Sequence, residues 1–163
     1  MSGAPFRLAL YNAATHDRSS FDCGSEPLNR YLREQLSQDI RRRVAACFVA
    51  LADDDHIVGF YTLASANLLL TDLPASLGKK LPRYPTVPTV RMGRLAVDQK
   101  FKGQGLGSAL LGDALHRAAR AEIAAYALMV DAKNEAAAGF YRHHSFIALP
   151  GSALTLFLPL SII

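Results

Sequence analysis

The densest chemistry in the chain lies in Lys100-Phe101-Lys102-Gly103-Gln104-Gly105-Leu106-Gly107-Ser108. Alternate glycines let a backbone approach a ligand closely, and a helix starting just after them adds N–H groups without intrahelical acceptors and a partial positive charge. That chemistry is anion binding, phosphate above all, and Lys100 and Lys102 reinforce it. Spacing removes two familiar dialects. No Gly-x-x-x-x-Gly-Lys-Ser/Thr occurs, and Ser108 stands where a dinucleotide fingerprint needs its last glycine.

Tyr141 carries a phenol of reference pKa about 10, able to give up a proton. Its ring could equally pack beside Phe140. Cys23 and Cys47 read as small buried residues, free in a reducing compartment. His143 and His144 are adjacent and cannot share one helix face, and His16, His56 and His116 show no ligand spacing with them. Asp53-Asp54-Asp55 reads as a polar turn. No metal is expected.

Elements to position these groups follow from periodicity. Phe6 to Tyr11 predicts a first strand, and Ser25 with Pro27 predicts a helix start. Leu28, Leu32, Leu36 and Ile40 mark one buried stripe on that helix, which ends near Arg41-Arg42-Arg43. Residues 46 to 52 and 57 to 64 form a hairpin around the acidic turn, and the five breakers from Pro74 to Pro88 predict a loop over 68 to 88. Residues 89 to 98 read as a strand, 106 to 121 as a helix, 126 to 131 as a strand, 135 to 142 as a short helix and 146 to 158 as closing strands. Hairpins mixed with crossover helices mean a single α/β domain over 1 to 163, a mixed central sheet with helices on its faces.

The chain has 163 residues, half of them hydrophobic and 20% charged, which is a globular balance. The net charge of +4 is uneven, since Lys79, Lys80, Arg83, Arg91, Arg94, Lys100 and Lys102 face only Asp98 between residues 79 and 102. Such a run suits a polyanion as well as a plain solvated face. The N-terminus lacks a secretory pattern, and Pro150-Gly151 and Pro159 break the uncharged C-terminal stretch, so a cytoplasmic protein with no membrane anchor is expected.

Taken together, three segments carry a resemblance. Gly93-Arg94-Leu95-Ala96-Val97-Asp98 before the glycine loop, Asn134-Glu135-Ala136, and Phe140-Tyr141-Arg142-His143-His144-Ser145-Phe146 resemble, in order and spacing, the GNAT superfamily of N-acetyltransferases. Gly103 and Gly105 satisfy its pyrophosphate signature, with Lys100 in place of Arg or Gln. Phe21-Asp22-Cys23-Gly24-Ser25-Glu26-Pro27-Leu28-Asn29-Arg30-Tyr31-Leu32, Gly59-Phe60-Tyr61-Thr62-Leu63 and Pro88 narrow the likeness to acetyltransferase toxins of bacterial toxin-antitoxin pairs, which acetylate the α-amino group of aminoacyl-tRNA and block translation.

The resemblance implies acetyl-CoA as cofactor, with its pyrophosphate at Lys102, Gly103, Gln104, Gly105, Leu106, Gly107 and Ser108. It implies an acetyl-pantetheine arm along Leu95, Ala96 and Val97 and against Asn134 and Phe140, and Tyr141 as general acid. It also implies a homodimer and a small antitoxin with a ribbon-helix-helix DNA-binding region.

The acceptor has its own signal. A lysine amine is roughly 0.04% neutral at pH 7 against about 10 to 20% for an α-amine, so only the first needs a strong base. No Glu lies between Glu34 and Glu122, which leans toward the α-amine. For tRNA phosphates the candidates are Lys79, Lys80 and Arg83, then Arg41, Arg42 and Arg43, with Arg91 at the acceptor end. Two other readings remain open: an ordinary acetyltransferase of a small amine, peptide N-terminus or protein, and a non-catalytic CoA-binding or nucleic-acid-binding regulator, against which Tyr141 counts.

Overall fold

The computed structural model describes residues 6–163, so residues 1–5 of the domain expected over 1 to 163 lie outside the described residues. Seven strands form one mixed sheet in the order β1-β2-β3-β4-β5-β7-β6. The chain groups into two compact units, Met1–Ala64 with Gly93–Ala114, and Ser65–Met92 with Leu115–Ile163.

In the first unit β1 (Arg7–Leu10) and β2 (Ala46–Leu51) pair antiparallel, Arg7 opposite Leu51. β2 pairs antiparallel with β3 (Ile57–Leu69) around a tight turn in which Asp54 and Asp55 have φ of 63° and 59°. Asp tolerates that left-handed region better than most side chains, so the acidic turn is a backbone device. Between β1 and β2 runs α1 (Glu26–Arg30), a π-helical turn Tyr31–Gln35, and α2 (Leu36–Arg41). The π turn accounts for the stripe. Three α-helical turns take about 10.8 residues, whereas Leu28 to Ile40 spans twelve, and one π turn absorbs about one extra residue. Leu32 and Leu36 are fully buried, with Leu28 and Ile40 packed at the margin of the same core as Phe21, Tyr31, Val49 and Phe60. Ser25 precedes α1 in extended conformation but its side chain makes no capping bond, contrary to expectation. Its carbonyl accepts Asn29 N–H instead, at 2.9 Å.

α4 (Leu106–Arg120) buries Leu106, Leu110, Leu111, Ala114 and Ala118, as its spacing predicts. It approaches β3 so closely that a Cβ on Gly59 would meet Leu110 Cδ1 at 2.8 Å and the Ala96 carbonyl oxygen at 3.3 Å, so a side chain there would push Leu110 aside.

In the second unit β4 (Thr86–Val97) pairs parallel with β5 (Ala127–Asp131), Thr89 opposite Ala127. β6 (Ile147–Leu149) and β7 (Ser152–Pro159) form a hairpin, and β7 lies antiparallel to β5. The core gathers Leu68, Leu73, Val87, Ala127, Met129, Leu149 and Phe157. The expected loop over 68 to 88 is shorter and more ordered than the prolines suggest. β3 continues to Leu69, a 3-10 turn covers Leu70–Asp72, α3 covers Ala75–Gly78, and Leu70 N–H bonds the Pro85 carbonyl at 3.0 Å. Pro74 precedes α3 and Pro82 and Pro85 lie between α3 and β4, where a missing N–H costs little, while Pro88 sits near the start of β4 itself and its carbonyl accepts Tyr126 N–H at 2.8 Å. α5 (Glu135–His143) follows β5. Among the described residues no helix is long and apolar enough to cross a membrane.

Candidate functional site

The glycine loop leaves β4 through Asp98 and a 3-10 turn at Gln99–Phe101. Gly103 and Gly105 both have φ of 80°, and a Cβ built on either would meet nothing within 4 Å. Left-handed residues alternating with ordinary ones are the backbone pattern of an anion-binding nest, and the space a side chain would take at either glycine is open. The first helical bond of α4 runs from Ala109 N–H to the Gly105 carbonyl at 3.0 Å, so the amides of Leu106 and Gly107 precede the ladder. Gln104 and Ser108 are exposed and Leu106 is buried, anchoring the helix under its own open end. The open cradle, its two left-handed glycines and the helix start fit a diphosphate.

Lys102 is committed differently from the expectation that it adds charge to the loop. Its Nζ donates to the Cys23 carbonyl at 2.9 Å, so the ammonium also ties the loop to the segment before α1. Leu95 and Val97 are half-buried and Ala96 buried on the last residues of β4. Arg94, beside them, lies with its guanidinium 3.5 Å from the centre of the Tyr31 ring, a cation–π contact. The Tyr31 hydroxyl donates to Asp39 Oδ2 at 2.8 Å, and burial, then that bond, raises the phenol's pKa. Sequence reasoning missed this pair because its members are far apart in the chain.

In the second unit, Tyr141 is 8% exposed on α5, with its ring centre 5.3 Å from that of Phe140 and 5.5 Å from that of Phe146. Its hydroxyl makes no hydrogen bond among the described residues, and burial pushes its pKa up to about 12. The ring is therefore core packing while the hydroxyl keeps its proton throughout the neutral range. Phe140 stacks edge-on against His144 as well, at 4.9 Å between centres. Asn134 is the N-cap of α5: its Oδ1 accepts Ala137 N–H at 2.9 Å. That use was legible as Asn ahead of a helix, and it leaves the amide group for other contacts.

Arg91 forms an ion pair with Asp131, whose other oxygen accepts the Thr155 hydroxyl at 3.0 Å. Of the cations expected at an acceptor, Arg91 is thus already paired. Lys79, Lys80 and Arg83 are exposed in the second unit and Arg41, Arg42 and Arg43 in the first, and none forms an ion pair among the described residues. Cys23 and Cys47 are buried and free, and burial pushes Cys47 up to about 12, which removes it as a nucleophile near neutrality. Among the described residues no three His, Cys, Asp or Glu side chains gather as a metal site.

Comparison with known proteins gives the family. Residues 9–146 match the acetyltransferase (GNAT) family. The chain belongs to that family. It is 38% identical over 97% of its length to the tRNA-acetylating toxin of Mycobacterium tuberculosis, covering 93% of that protein. Among solved structures it resembles AtaT complexed with acetyl-methionyl-tRNAfMet, at 31% identity and a TM-score of 0.90 with 96% of each chain covered. It also resembles a tyrosine-to-phenylalanine mutant of the AtaT toxin bound to the C-terminus of the antitoxin AtaR and acetyl-CoA, at 27% identity and a TM-score of 0.82, covering 98% of this chain and 96% of that one. As a GNAT acetyltransferase it uses acetyl-CoA, the cofactor for which the glycine loop was read.

Proposed function

We propose that this acetyltransferase is a toxin that acetylates the α-amino group of aminoacyl-tRNA and so blocks translation. Full-length likeness to a tRNA-acetylating toxin and to a protein solved with an acetylated aminoacyl-tRNA carries the reading. Bound acetyl-CoA supplies an activated thioester carbonyl. The amides of residues 103 to 108 hold its diphosphate, the backbone of Leu95 to Val97 and the groups of Asn134 and Phe140 align its arm, and Tyr141 delivers a proton to the departing sulfur. An α-amine of pKa about 7.7 to 8.0 attacks with little help from a base, which suits a central sequence without glutamate. Incubation with labelled acetyl-CoA and total charged tRNA is expected to give N-acetylated amino acids after release. Label absent from every amino acid would turn the reading to a small-amine or protein acceptor.

The exposed cations Lys79, Lys80 and Arg83 are the first choice for tRNA phosphates, with Arg41, Arg42 and Arg43 second. Each phosphate contact contributes about 0.9 to the slope of log affinity against log salt on a duplex. Replacing Lys79, Lys80 and Arg83 by Ala is expected to lower that slope and to weaken tRNA binding by about tenfold or more, while acetyl-CoA affinity holds. Filter binding across a salt series and calorimetry with acetyl-CoA check it, and equal loss of both ligands would contradict it. Arg91, paired with Asp131, is expected to matter less for tRNA than these.

The same reading includes a homodimer and an antitoxin with a ribbon-helix-helix DNA-binding region. The antitoxin-bound state of a related toxin supports a protein partner. A cytoplasmic location fits aminoacyl-tRNA as acceptor.

A further inference from the structure

The stem of the glycine loop, residues 98 to 102, is held by the segment just before α1. Asp22 N–H donates to Asp98 Oδ2 at 3.1 Å, and the Asp22 carbonyl accepts Gln99 N–H at 2.9 Å. Asp22 Oδ1 accepts Gln99 Nε2 at 3.3 Å, while the next carbonyl, that of Cys23, accepts Lys102 Nζ at 2.9 Å. The same Oδ1 is fixed from its own side by Gly24 N–H at 2.9 Å and Asn29 Nδ2 at 3.0 Å. Asn29, itself buried, takes Cys23 N–H on its Oδ1 at 2.9 Å. Asp98 is buried, and its other oxygen accepts Lys100 N–H at 2.9 Å.

We propose that Asp22 is a positioning residue for acetyl-CoA: its carboxylate fixes the Asp22–Gly24 backbone, whose amide and carbonyls hold Asp98, Gln99 and Lys102 at the stem of the glycine loop. The proposal rests on the reading of that loop as the diphosphate cradle. Asp22 is exposed, so its carboxylate is not there to fill the core. The amide of Gly24, then Asn29 and Gln99, hold that carboxyl below its usual range, and it stays a charged acceptor at neutral pH. Gly103 and Gly105 have no side chain to pack, and the space a Cβ would take at each is open to 4 Å. The order of the cradle must therefore come from its ends: α4 on one side, and the stem gripped by Asp22 on the other. Ordering a loop before the ligand arrives lowers the entropy lost on binding.

The test is acetyl-CoA binding by calorimetry, and steady-state kinetics with charged tRNA, on the full chain. Asp22→Ala is expected to raise Kd and KM for acetyl-CoA about tenfold, the size of one or two net hydrogen bonds, with kcat at saturation within about twofold. Gln99→Ala, which removes only the side-chain link, is expected to raise Kd about threefold even if Asp22→Ala folds poorly. Asp22→Asn, which keeps an acceptor oxygen, is expected to recover most of the affinity. The proposal falls if Kd for Gln99→Ala and any folded Asp22→Ala stays within about twofold of the parent, if kcat drops with KM unchanged, or if Asn rescues nothing. Failure of the parent chain itself to bind acetyl-CoA would overturn the cradle reading instead, and the two failures are distinct.

Discussion

Tyr141→Phe is expected to lower the rate of acetyl transfer at saturating acetyl-CoA about a hundredfold while leaving acetyl-CoA affinity within a few fold. Proton transfer by a positioned acid contributes about 10²- to 10⁴-fold, and the lower end applies here for a stated reason. A thiolate of conjugate pKa about 8.5 leaves tolerably well unaided. A phenol pushed up to about 12 by burial is also a reluctant donor. Substitution by Phe keeps the ring contacts with Phe140 and Phe146, so packing and stability should change little. The hydroxyl bonds to nothing among the described residues, so its removal orphans no buried partner.

The pH profile separates acid from amine. With the phenol protonated below about pH 12, the rate should rise as the acceptor α-amine loses its proton, level off above about pH 8, and show no falling limb from Tyr141 in the neutral range. The raised pKa also gives a stability term that is complete below about pH 10 and is lost as pH rises toward about 12. Turnover in Tyr141→Phe equal to that of the parent would remove the phenol from the mechanism.

How much of this was legible before the fold was known depends on the range of each interaction. The glycine loop, α4 and the burial of Leu106, Leu110, Ala114 and Ala118 were readable because spacing within one element sets them. The stripe from Leu28 to Ile40 was readable too, but the π turn that keeps it in line was not, since no residue type specifies one. Asp22-Cys23-Gly24 carries a local signal: an Asp side chain bonding the N–H two residues on is a common turn. Its grip on Gln99, 77 residues away, has no trace in the spacing. Arg91 with Asp131 and Arg94 with Tyr31 are of the same kind, pairs made by strands and helices that the chain reaches much later. A run of basic residues therefore overstated the cations left for a polyanion. Asn134 shows a local signal instead, since an Asn at the start of a short helix is where a cap is expected, and its Oδ1 accepts Ala137 N–H.

Gly105→Asp should abolish most acetyl-CoA binding, by about a hundredfold. Two costs act on different equilibria, the first on folding and the second on binding. At a φ of 80° a side chain pays roughly 1–2 kcal/mol of backbone strain. A carboxylate about 4 Å from a diphosphate adds repulsion of about 1–4 kcal/mol between one pair of charges, from water-like to surface-like dielectric. In affinity the repulsion alone spans about fivefold to a thousandfold. Only the first cost acts on the unliganded fold, because a Cβ at residue 105 meets no atom within 4 Å. Stability should therefore fall by about 1–2 kcal/mol while affinity falls further. Gly105→Ala isolates the strain and is expected to lose less than a tenth as much affinity as Asp. Calorimetry with acetyl-CoA beside thermal unfolding checks both variants. If Asp and Ala weakened acetyl-CoA equally, the charge at residue 105 would not be felt by the diphosphate, and the helix start at Leu106 would no longer be its cradle.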